Sequence, residues 1–86
     1  MNPLDSISQS QKQLDTFKKN LEKLEAKEGL QDLVNKYLLD DPALTPAEAD
    51  QWANIDWNRR ITSTKMQIDS LNSAISAMQA LFNQIQ

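Results

Sequence analysis

The stretch Asp40-Asp41-Pro42-Ala43-Leu44-Thr45-Pro46-Ala47-Glu48 decides how this chain folds. It holds two of the three prolines, and a proline removes an amide donor and pushes the residue before it out of helical geometry. A helix arriving from the N-terminal side therefore stops here. The second half of the stretch starts a new one. Thr45 can cap, Pro46 suits a first helical position, and Glu48 completes a capping box. Glu48 and Asp50 also place negative charge where the helix dipole favours it. The reading is a turn over 40–45 and a second helix from Pro46 to about residue 85.

Downstream of the turn, Trp57, Ile61, Thr64, Ile68, Leu71, Ile75, Met78, Phe82 and Ile85 recur in steps of four and three, a seam of the coiled-coil kind. Ala74, Ala77 and Leu81 widen the apolar face towards the end. Charge fades there too, since the 17 residues after Asp69 carry no charged side chain. An exposed helix normally keeps its charges on the solvated face.

Upstream, a first helix is expected over about 5–39, with a seam of Ile7, Leu14, Phe17, Leu21 and Leu24. Leu30, Leu33, Val34, Tyr37 and Leu38 resume the pattern about one residue early, so a kink is expected near Gly29. Asp15 with Lys19, and Asp32 with Lys36, stand at favourable i, i+4 spacing on the outer side. Joined by the short turn, the helices are expected to fold back as one all-α domain over 1–86, an antiparallel, coiled-coil-like helical hairpin. Pivoting about the turn sets Leu24 near Ile61, Phe17 near Ile68, Leu14 near Leu71, Ile7 near Met78 and Trp52 opposite Val34.

Composition limits the chemistry. The chain of 86 residues has no Cys and no His, which removes thiol nucleophiles, imidazole bases and nearly every zinc or haem site. No catalytic residue, cofactor site or metal site is identified, and no small-molecule substrate is implied. Asp40, Asp41, Glu48 and Asp50 cluster without the spacing or central Gly of an EF-hand, and helix-end electrostatics account for the last two. Trp52 and Trp57 have few basic neighbours and are assigned to core packing, while Asp56 can support Arg60 on a solvated face. A net charge of −3 argues against nucleic-acid binding. No run approaches the roughly 20 apolar residues of a membrane-spanning helix, so direct membrane insertion is not expected. The N-terminal residues lack the pattern of a cleavable signal, so the expected location is cytoplasmic, or outside the cell by a route without one.

Two packed helices cover one side of each stripe, and helix 2 has more apolar surface near its end than the polar start of helix 1 can match. The expected partner is a protein, either further copies of this chain or another helical protein. The expected interface is Ala74, Ile75, Ala77, Met78, Leu81, Phe82 and Ile85.

The turn Asp41-Pro42-Ala43-Leu44, the aromatic positions Trp52 and Trp57, and the weakly charged end Ala80-Leu81-Phe82-Asn83-Gln84-Ile85-Gln86 together resemble the needle-filament subunits of bacterial type III secretion systems. Thr45-Pro46, Arg59-Arg60 and Thr62-Ser63-Thr64 depart from that family's pattern, and no lumen-lining residues are carried over. The resemblance implies a helical hairpin, export without a cleaved signal, polymerisation through the C-terminal helix, and a chaperone that masks that helix beforehand. Two other readings stand beside it. One is a small secretion chaperone or adaptor binding an amphipathic client helix. The other is a phage- or plasmid-encoded acidic inhibitor of a host enzyme.

Overall fold

The computed structural model describes residues 3–85, with Pro3 and Ile85 described in their backbone alone. Three helices follow one another, α1 (Pro3–Glu25), α2 (Leu30–Asp40) and α3 (Pro46–Ile85), and no strand occurs among the described residues. The all-α class is as expected. The single first helix over 5–39 is not: the chain breaks at 26–29 into two separate helices.

The break has the hydrogen bonding of a Schellman stop. The Glu28 amide donates to the Lys23 carbonyl at 3.1 Å and the Lys27 amide to the Leu24 carbonyl at 3.0 Å. Lys27 itself occupies the left-handed position, with φ of 61°, where glycine is the usual residue. Gly29 follows at φ 90° and opens α2, whose first bond runs from the Leu33 amide to the Gly29 carbonyl at 3.1 Å. Two left-handed residues within three cannot be absorbed as a bend in a continuous helix, so the one-residue phase slip marks a full stop and restart.

At the second turn the local chemistry acts as the sequence indicates. The Asp41 amide donates to the Tyr37 carbonyl at 3.0 Å, closing α2, and Asp41 is extended, as a residue before proline should be. The Ala43 amide donates to Asp41 Oδ1 at 3.1 Å. The capping box then closes in both directions. The Glu48 amide donates to Thr45 Oγ1 at 3.2 Å, and the Thr45 amide to Glu48 Oε1 at 3.0 Å.

Both α1 and α2 pack along α3. Ile7 and Leu14 of α1 cluster with Ile68 and Ile75 of α3, and Phe17, Leu21, Leu71 and Met78 pack around them. Val34 of α2 clusters with Ala49 and Ala53 of α3, flanked by Leu30, Leu33, Tyr37 and Leu38. Positions on α3 thus descend as positions on the first two helices ascend. The residue opposite Val34 is not Trp52, which is 54% exposed, whereas Ala49 and Ala53 are wholly covered. Ala53 and Ala49 lie four and eight residues before buried Trp57 and share its face; Trp52 lies five before it, roughly 140° away round the helix. Their small side chains let α2 lie close to α3.

The molecule is a rod of 63 × 20 × 15 Å. Its radius of gyration is 18.6 Å, against about 12 Å for a compact chain of this length. The forty residues of α3, roughly 60 Å long, set the long dimension. Among the described residues no large side chain is completely buried.

Candidate interaction surface

Trp57 is the fixed point around which the surfaces of α3 are arranged. Its ring is buried, and its indole N–H donates to the Leu24 carbonyl at 2.7 Å, the same carbonyl that accepts the Lys27 amide in the helix stop. The edge of the ring also lies against the α1–α2 break, 3.6 Å from where a Cβ on Gly29 would sit. Arg60 covers the ring face, its guanidinium carbon 5.5 Å from the centroid, and pairs with Asp56 at 3.2 Å. One turn on, the Thr64 hydroxyl donates to the Arg60 carbonyl at 2.8 Å, which allows a threonine at a buried seam position. These contacts fix the rotation of α3, and with it which residues face outwards.

The expected interface at the end of α3 divides by face. Ile75 is buried in the cluster with Ile7, Leu14 and Ile68, and Met78 packs against that cluster. Phe82 is half-buried and lines a shallow cleft with Leu4, Ile7, Gln79 and Asn83. Ala74, Ala77 and Leu81 are exposed, Leu81 by 61%. The side chain of Ile85 lies outside the described residues. Three of the seven are thus engaged by α1, and three are free to meet another molecule.

A second apolar face, on the side of α3 away from α1 and α2, did not emerge from the seam pattern. Trp52, Ile55 and Met66 are all exposed there. Ile55, Asn58, Arg59, Thr62, Ser63 and Met66 line a concavity of about 490 Å³. Every one of these residues is on α3, so the concavity is an open dent in a helix surface rather than an enclosed pocket. The signal was present in the sequence as a second three-four spacing, 52, 55, 59, 62, 66, offset from the seam. Three large apolar side chains on one helix face are more than the scattered exposure usual for a soluble surface.

Charged groups add little chemistry. The one ion pair among the described residues is Arg60–Asp56; Asp15 with Lys19 and Asp32 with Lys36 form none, as fits exposed pairs worth a few tenths of a kcal/mol. Hydrogen bonds from the Thr45 amide, and secondarily from the Thr45 side chain, hold the Glu48 carboxyl below its ordinary pKa. Among the described residues no three acidic side chains gather where they could hold a metal ion. No helix among them is long and apolar enough to cross a membrane. Comparison of the chain with known protein families, with characterised proteins and with solved structures gives no match.

Proposed function

We infer that this protein is a non-enzymatic helical assembly subunit: an antiparallel, coiled-coil-like hairpin that associates through the C-terminal part of α3. The observation that carries the reading is the uncharged, partly uncovered end of that helix. Leu81 is 61% exposed, Ala74 and Ala77 lie open beside it, and no charged side chain follows Asp69. The thin core adds support. A thin layer of α1 and α2 on α3, without one completely buried large side chain among the described residues, secures little net stability alone, and further burial at an interface adds about 25 cal/mol per Å² of apolar surface. The resemblance of the turn Asp41–Leu44 and of the weakly charged C-terminal end to needle-filament subunits extends the reading to filament growth through that end.

Light scattering across a concentration series tests it. The wild-type chain is expected to gain mass with concentration, and negative-stain images at high concentration to contain filaments. Leu81→Asp combined with Ala77→Asp changes only exposed positions and is expected to abolish the mass gain while leaving helical circular dichroism intact. A wild-type chain that stays monomeric at every concentration, or a double variant that associates as before, would overturn the reading.

A further inference from the structure

We propose that two copies of this chain pair through the outer face of α3, antiparallel, about a two-fold axis level with residue 64. The proposal rests on the reading of α3 as the assembly element. It adds a partner, a second copy, and a face, the one turned away from α1 and α2. That face runs from Trp52 to Ser76 in alternating steps of three and four, and every position on it is exposed.

Charge selects the occupant and its direction. Arg59 and Asp69 are the only charged residues on the stripe, and neither has a charged partner among the described residues. They stand ten positions apart on one straight element, roughly 15 Å, too far to pair within the chain. A parallel second copy would set Arg59 against Arg59 and Asp69 against Asp69. An antiparallel copy, aligned so that paired residue numbers sum to 128, sets each Arg59 beside the other copy's Asp69 and forms two complementary contacts by symmetry.

The same alignment places the apolar residues. Thr62 meets Met66 on either side of the axis, so the two methionines, both well exposed in the single chain, cover the centre. Ile55 meets Ser73, and Trp52 meets Ser76 with Ala77 beside it, so each large side chain falls opposite a small one. This is the layering of an antiparallel coiled coil, in which the two kinds of seam position face each other. The arrangement is isologous and closes at two copies, leaving Leu81 at each end outside it.

Charge reversal tests the pairing, because Arg59 and Asp69 are exposed and the replacements favour helix. Sedimentation equilibrium on the full chain compares wild type, Arg59→Glu, Asp69→Arg and the double variant, with circular dichroism checking that helicity is unchanged. Wild type is expected to form a dimer. Each single reversal weakens the dimer about ten-fold or more, because it makes two repulsive contacts per dimer, and the double variant recovers to within a few-fold of wild type. A wild type that stays monomeric to millimolar concentration, four chains that associate alike, or a double variant as weak as the singles would each overturn the proposal. Association that ignores both reversals but is lost in Leu81→Asp, Ala77→Asp overturns this pairing while leaving the distal end as the assembly surface.

Discussion

The two ends of the rod are built differently. Near the Pro42–Pro46 turn, α2 lies close on α3 because Ala49 and Ala53 offer no bulk, and Trp57 ties α3 to the α1–α2 break through the Leu24 carbonyl. At the far end, α1 and α3 meet through Ile7, Leu14, Ile68 and Ile75, contacts made between aliphatic side chains. The sequence separations differ as strongly. Val34 and Ala49 are 15 residues apart, Ile7 and Ile75 are 68, and the longer closure costs about 1 kcal/mol more chain entropy. The turn end is thus expected to form first and open last, and the distal end to be the part free to exchange neighbours. Amide exchange would show it directly, with protection over 49–64 exceeding that over 75–84.

The contrast breaks most severely at Trp57. Trp57→Ala should cost about 3–5 kcal/mol in urea unfolding, since it removes a buried ring and leaves the break without its clasp. Ile75→Ala, at the far end, should cost about 2 kcal/mol, because a thin two-helix layer can close around the gap. Equal losses would mean the ends are equally anchored.

Adding volume probes the same difference from the other side. Ala53→Leu should destabilise by about 1–3 kcal/mol, for α2 has to move off α3 to admit it. Ala77→Leu on the exposed face should stay within about 0.5 kcal/mol when measured on monomer.

The break between α1 and α2 sharpens the comparison at a smaller scale. Lys27 stands in a left-handed conformation suited to glycine, so Lys27→Gly is expected to stabilise the chain by about 1 kcal/mol. Gly29→Ala should do the reverse by about the same amount, through φ 90° rather than through crowding, since the new Cβ would find the Trp57 ring at ordinary contact distance.

The capping box is expected to give a small effect. Thr45→Ala should cost about 1 kcal/mol or less. Glu48 contributes through its lowered pKa. Its share is fully present above the ordinary value of 4.5 and is lost as pH falls through the lower value of the folded state. In Thr45→Ala that part of the acid dependence should shrink, which stability measurements between pH 3 and 6 would show.

Much of this was legible because it was local. Thr45 and Glu48 are three residues apart, and the reciprocal bonds they form need nothing from the rest of the chain. The Trp57-to-Phe82 seam could be read because one helical period relates all its members. The break at 26–29 was legible only as a phase slip: a lysine in left-handed geometry carries no sequence signal, since lysine is ordinarily a good helix former. Pivoting about the turn sets Trp52 opposite Val34, but helical phase puts two alanines there instead. For the end of α3, the apolar character of the seven positions is a matter of sequence alone, whereas which of them α1 engages depends on packing, which buries Ile75 and leaves Leu81 exposed.

The sequence by itself determined the all-helical class, the turn at Pro42–Pro46 and the absence of imidazole and thiol chemistry. These follow from residue types and from spacings within a few turns. Only the tertiary structure decided that the first helical stretch is two helices, that Ala49 and Ala53 rather than Trp52 meet α2, and that α3 carries a second exposed apolar face. The last two depend on the rotation of α3 about its axis, which Trp57 fixes by bonding to a carbonyl 33 residues away, while the first lies in the left-handed backbone of Lys27 and Gly29.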